Sequence, residues 1–233
     1  MAVDGVAPSA RTTVRRGAPR AVYDPAEIRA VLEAGLVAHV GVTTPDGPIV
    51  VPMAYGLLDE EPAADGTSGR TWLVLHGAVA NAALGAGAGV DVCVTVTILD
   101  GLVVARTPLH NSMNHRSVIV RGTATRVEGD DAKRRALRAV NDHVAAIWDV
   151  ARPPTDADVR RTMVVTVPLD EASAKIRAGD PVDEERDLDD GRWAGVVPLV
   201  TTWGEPTPAA DLRAPAAVPG PLVELSGGDA HPR

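Results

Sequence analysis

Apolar positions in this chain recur mostly with a period of two. Val90–Leu99 (VDVCVTVTIL) alternates apolar and polar residues, and Leu102–Arg106 and Ser117–Val127 read as strands beside it. Such alternation turns one face of a strand to a core and the other to water. Leu36–Thr43, Pro48–Leu57, Thr71–His76, Met163–Leu169, Ala174–Arg177 and Trp193–Thr202 read as further strands. Turn signals separate them. Thr44-Pro45-Asp46-Gly47 predicts one hairpin, and Asp100-Gly101 predicts another between Leu99 and Leu102.

The period changes to 3.6 in few places. Asp24-Pro25-Ala26-Glu27 combines an N-cap, a first-turn proline and a capping-box glutamate, and Ile28, Val31 and Leu32 supply an apolar face that ends at Gly35. Asp130–Trp148 is the clearest helix, with Leu137, Val140, Val144 and Ile147 on one face and Lys133, Arg134, Arg135 and Arg138 on the others. Short helices are predicted over Asp156–Arg161 and after Gly77, to about Ala86. Residues 1–20 read as a flexible arm, and residues 205–233 carry no periodicity and predict a disordered tail. The domain itself then spans residues 21–204. Many short strands, few helices and no βα alternation predict a mainly β, α+β fold: a small barrel with added helices.

Composition narrows the class. The chain is 45% hydrophobic but only 3% aromatic, with no Phe, so Val, Leu, Ile and Ala must build the core. A net charge of −8 gives no footprint for nucleic acid, and the basic run Arg11–Arg20 reads as a solvated arm. No apolar run reaches membrane-spanning length and no signal peptide is visible, so a cytoplasmic protein without a membrane partner is expected. The single cysteine, Cys93, excludes an internal disulfide and a Cys-based zinc site, and its strand position predicts burial.

One segment breaks the apolar pattern. His110, Asn111, Ser112, Asn114, His115, Arg116 and Ser117 form a polar knot between strand-like runs. Strands seldom carry so many hydrogen-bonding groups unless a ligand beside the sheet uses them. The histidine spacing suits no common metal site, so none is assigned. No Gly-x-Ser-x-Gly elbow is present either. Leu75-His76-Gly77 ends a strand where a helix begins, and free N–H groups there suit an anion, with Asn81 one turn on. Arg116 offers positive charge to a polar ring edge. Equally, Arg116 and Arg106 suit surface strand positions paired with acids.

Several segments together resemble the pyridoxamine 5′-phosphate oxidase-like superfamily, in its flavin-nucleotide-binding, nitroimidazole-reductase-like branch. They are Gly35-Leu36-Val37-Ala38-His39-Val40-Gly41, Val51-Pro52-Met53-Ala54-Tyr55-Gly56, Leu75-His76-Gly77, Leu99-Asp100-Gly101-Leu102-Val103 with Ser112-Met113-Asn114-His115-Arg116-Ser117-Val118, Glu171-Ala172-Ser173-Ala174-Lys175, and Trp193-Ala194-Gly195-Val196-Val197-Pro198-Leu199. The resemblance implies a homodimeric split β-barrel that binds FMN between subunits and acts as an oxidoreductase on a small molecule. It places the flavin ring along Val51, Pro52 and Met53, and the phosphate near His76, Gly77, Ala78 and Asn81. The ring edge falls near Asn114, Arg116, Ser117 and Val118, with Trp193 closing the pocket and His115 and Arg116 as catalytic residues. Relatives usually carry serines and a cation after His-Gly, where this chain has Ala78, Asn81 and Ala82; Arg70, Arg106 or Arg121 would have to substitute. They usually have Tyr at the position of His115. Some members bind haem instead, for which His39, His76 or His115 would be the axial ligand. A flavin-binding protein without turnover is the third reading.

Overall fold

A computed structural model describes residues 9–60, 69–77 and 89–232. Ten strands form a largely antiparallel sheet: β1 (Ala21–Val22), β2 (Ala38–Thr44), β3 (Gly47–Met53), β4 (Tyr55–Asp59), β5 (Thr71–His76), β6 (Val90–Val104), β7 (Ser112–Arg126), β8 (Val164–Pro168), β9 (Ala172–Arg177) and β10 (Gly195–Pro198). The hydrogen-bonded path runs β3-β2-β6-β7-β8-β5-β4, with β9 beside β7, β1 beside β9 and β10 beside β6. The path does not close through hydrogen bonds. Its two edge strands, β3 and β4, are consecutive in the chain and separated by Ala54 alone, so both ends of the sheet meet there.

The segment read as one strand, Pro48–Leu57, is therefore two. Its first half pairs with β2 and its second with β5. The expected hairpin at Asp100-Gly101 is also corrected. β6 runs straight through these residues, and the register slips between Leu99 and Gly101 as a bulge. The true reversal is the loop around the short 3₁₀ turn Pro108–His110, so β6 and β7 form one long hairpin. A bulge adds one residue to a strand without turning it, and a tight-turn dipeptide can serve either purpose.

Helix α1 (Pro25–Ala34) starts as its sequence predicts, with Asp24 Oδ1 accepting from the Ala26 and Glu27 amides at 2.9 and 3.0 Å. It buries Ile28, Val31 and Leu32 against Val40, Val94, Val96, Val118 and Val120. Each fully buried aliphatic side chain contributes about 1.5–3 kcal/mol, so this Val-rich layer carries the fold despite the scarcity of aromatics. Tyr55 is the one large aromatic inside. Its hydroxyl lies 2.9 Å from the Gly35 carbonyl, which also meets His143 Nε2 at 2.8 Å, so the end of α1 is held by two side chains. His143 belongs to α2 (Asp130–Ala145), which ends short of the expected Trp148. There α2 lies directly on β4: a Cβ at Gly56 would sit 2.4 Å from the Ala139 carbonyl oxygen.

The C-terminal segment differs from its reading as an irregular tail. After α3 (Asp156–Arg161), a further helix, α4, forms over Gly220–Leu225. Thr202 bridges Asp229, the Ala230 amide donates to Thr201 O at 2.9 Å, and Ala230 is buried. His231 Nδ1 lies 2.8 Å from Ala34 O at the end of α1. These contacts join residues far apart in sequence, so no local pattern announces them.

Candidate functional site

The polar knot lies on β7, and strand alternation sends its residues to opposite faces. Arg116 faces α1 and the C-terminal segment. Its guanidinium holds Asp100, the bulge residue, through Nε at 3.1 Å and Nη2 at 2.9 Å, and donates to the carbonyls of His231 and Pro232 at 2.9 and 2.7 Å. Asn114 is buried, donating to Gly179 O at 3.1 Å and accepting from Arg177. Val118 is fully buried in the core. The structure thus commits Arg116, Asn114 and Val118 to holding the fold, and it does not bring them to one surface with Ser117 and His115.

Ser117 and His115 are half-buried and belong to neighbouring strand pairs. Ser117 stands opposite Thr97 and Lys175, and His115 opposite Leu99 and Arg177. Ser117 Oγ donates to Lys175 O at 3.2 Å. His115 Nδ1 is buried and has no hydrogen-bond partner. Burial, then the positive charges of Lys175, Arg20 and Arg177, push the His115 imidazole below its ordinary value, against a smaller opposing pull from Asp100. The ring is therefore neutral at pH 7, with one nitrogen free to accept a hydrogen bond.

The other expected wall forms around the sheet ends. Met53 shares a register row with Ala38, Val96 and Val118, and Pro52 shares the next with His39, Thr95 and Ile119. Among the described residues β3 pairs only with β2, so its far edge keeps backbone groups outside the ladder. Tyr55 pairs with Leu75, so the adjoining positions Ala54 and His76 lie side by side. Val51, Pro52 and Met53 thus lead along β3 to Ala54, beside which His76 stands at the start of the β4–β5 pair. His76 is lowered from its ordinary value by burial. The Gly77 amide is not free for an anion, because it donates to Met163 O at 3.3 Å. Ala78, Asn81 and the helix expected there lie outside the described residues.

Other candidates are accounted for. Arg106 pairs with the buried carboxylate of Asp183 at 2.9 Å, and Arg70 with Asp170 at 3.2 Å, so neither is a spare cation. Arg121 is exposed on β7, opposite Cys93, which is half-buried rather than buried. Trp193 is exposed, its ring against Gly195 at the start of β10. A cavity of about 860 Å³ opens between residues 9–12, the start of α1 and residues 169–172; Arg70 lines it, and the residues expected along the flavin do not. Lys175 and Arg177, which the sequence reading does not single out as candidates, stand opposite Ser117 and His115 on β9. Their i, i+2 spacing in β9 was the available signal, since it puts two cations on one strand face.

Comparison with known proteins bears on this arrangement. The family model described as pyridoxamine 5′-phosphate oxidase matches residues 24–176. The flavocytochrome Anf3 from Azotobacter vinelandii is 31% identical, with a TM-score of 0.81, over 95% of this chain and 99% of that one. The FAD and heme binding protein from Mycobacterium smegmatis is 29% identical, with a TM-score of 0.79, over 91% and 100%. A candidate 5-nitroimidazole antibiotic resistance protein from Bacteroides thetaiotaomicron shares the fold at 24% identity and a TM-score of 0.51, over 67% and 86%. No curated protein is significantly similar. Among the described residues no helix is long and apolar enough to cross a membrane. With two thirds of the chain inside the family model and both faces of the sheet built as described, the chain belongs to the pyridoxamine 5′-phosphate oxidase family.

Proposed function

We propose that this chain is a flavin-dependent oxidoreductase that works as a homodimer on a small molecule. The observation that carries the reading is the near-full-length likeness to the Azotobacter flavocytochrome. At 95% of this chain, that likeness reaches well past residue 176, where the family model ends. The free edge of β3 fits a planar heterocycle with alternating donors and acceptors, and His76 stands beside it. When bound, the flavin supplies hydride or electron exchange with the second substrate. The β3 edge binds and orients the ring along Val51, Pro52 and Met53. Exposed Trp193 covers it and a second protomer excludes water. His115, held neutral, carries a proton at the polar edge. FMN is the nucleotide expected from the family, and the Mycobacterium protein is described with FAD.

A second reading is specifically favoured. Both near-full-length relatives are described as a flavocytochrome or with heme. His115, with its buried and unpartnered Nδ1, would be the residue to hold the haem iron, with His39 and His76 as the alternatives from the sequence. The visible spectrum of the purified protein, with mass spectrometry of the extracted cofactor, tests both. Bound-flavin absorption without a Soret band supports the first reading, both features together support a two-cofactor protein, and neither feature after loading with FMN, FAD and haem sinks both. His115→Tyr is expected to fold normally and to slow turnover about tenfold or more; unchanged turnover removes His115 from the chemistry.

A further inference from the structure

Where β1, β7 and β9 meet, cations gather without counter-ions. Ser117 faces Lys175 and His115 faces Arg177 across the β7–β9 ladder, while Ala21 pairs with Lys175 and so brings Arg20 to the same edge. The chain has 31 acidic against 23 basic residues, yet among the described residues none of Arg20, Lys175 and Arg177 forms an ion pair. Lys175 donates only to Arg16 O, at 3.1 Å. Arg177 is 7% exposed, and its donors meet neutral acceptors alone: Asn114 Oδ1, and the carbonyls of Gly179 and Asp180. Its Nε and the Nδ1 of His115 are buried without a partner.

We infer that this edge is a binding site for a phosphate-type anion, with Arg20, Lys175 and Arg177 as its donors and His115 joining them as the imidazolium. A buried cation without a counter-ion is costly, and like charges at this range repel one another. A compact dianion relieves both at once. Guanidinium and ammonium groups brought to one strand edge form a donor set that suits phosphate, since charge-assisted bonds are the strong ones. The contrast within the same hairpin is direct, because Arg106 and Arg116 each hold an aspartate. The basic run Arg11–Arg20 also gains a role. Gly17, at φ 70°, turns the N-terminal segment so that Lys175 lies over it, with Cε 3.3 Å from where a Cβ would be.

The anion has two possible sources, the flavin's own phosphates or a separate phosphorylated ligand, and the site stands without the flavin reading. The test is calorimetric titration of the full chain with inorganic pyrophosphate, FAD and riboflavin, in the wild type and an Arg20→Gln, Lys175→Met double variant. Pyrophosphate should bind the wild type with one site and weaken about tenfold or more in the variant, with riboflavin unaffected. FAD weakening in parallel assigns the anion to the flavin; FAD unchanged assigns it to a separate ligand. A wild type that ignores pyrophosphate, or a variant that binds it equally well, overturns the inference. Pyrophosphate binding without any flavin binding keeps the site and removes the flavin reading. If the double variant does not fold, imidazole proton resonances of the wild type decide, assigned with His115→Gln. Pyrophosphate must shift those of His115, and their constancy would refute the site.

Discussion

Arg116 and Arg177 stand on adjacent strands, one residue out of register, and their surroundings are opposite. Arg116 has a carboxylate and two chain-terminal carbonyls. Arg177 has neutral acceptors and one donor left over. A compensated arginine acts as a strut, pinning the bulge at Asp100 and the last residues of the chain. An uncompensated one is poised for a ligand. Strand identity and burial do not separate the two; the presence of a counter-charge does.

The comparison can be broken most strongly at Arg116. Arg116→Ala leaves the Asp100 carboxylate and both C-terminal carbonyls without their donor, which should cost about 2–3 kcal/mol. Thermal unfolding should show a lower Tm, and hydrogen exchange should show the Ala230 amide losing protection. A Tm within error of the wild type would mean that Arg116 is no strut. Arg177→Met should cost less, about 1–2 kcal/mol, because it removes bonds to neutral groups and abandons no carboxylate. A loss larger than that of Arg116→Ala would reverse the comparison.

A smaller effect is expected from pH. Burial lowers His76, His115 and His143 below the ordinary 6.5. The unfolded chain therefore binds more protons in that range, and stability rises with pH. The contribution is complete above pH 6.5 and is lost as the pH falls through the depressed folded values. Denaturant titrations at descending pH should show this decline, and pyrophosphate should blunt the His115 share by stabilising the imidazolium. A flat profile contradicts the burial of these rings. The smallest effect belongs to Arg20→Gln. Removing one repelling charge in the absence of ligand should raise stability, by no more than about 0.5 kcal/mol for a surface position. A fall in Tm would indicate a counter-charge at Arg20.

Much of the sheet was legible. The period-two runs at Val90–Leu99 and Thr71–His76, and the Asp24 cap, form as the residues predict, because alternation and capping are local. The segment Pro48–Leu57 reads as one strand because its apolar run continues through Ala54, and nothing local says that the two halves join opposite ends of the sheet. Asp100-Gly101 was misread because the same residues suit a turn or a bulge; Arg116, on the partner strand, holds the bulge. The polar knot stands out in the sequence as a break in the apolar pattern. Its division was not readable, since both faces of β7 carry polar residues.

By itself the sequence determined the β-rich class, the valine core, the start of α1 and the segments that mark the family, since each depends on neighbours within a turn or a strand. Only the tertiary structure decided which polar residues are spent and which are free. Asn114 and Arg116 are consumed by Arg177, Asp100 and the C-terminal carbonyls, from 16 to 116 residues away along the chain. Among the described residues, the same folding leaves Lys175 and Arg177 without a counter-charge. Charge compensation is a property of what packs around a group, and residues distant in sequence supply it.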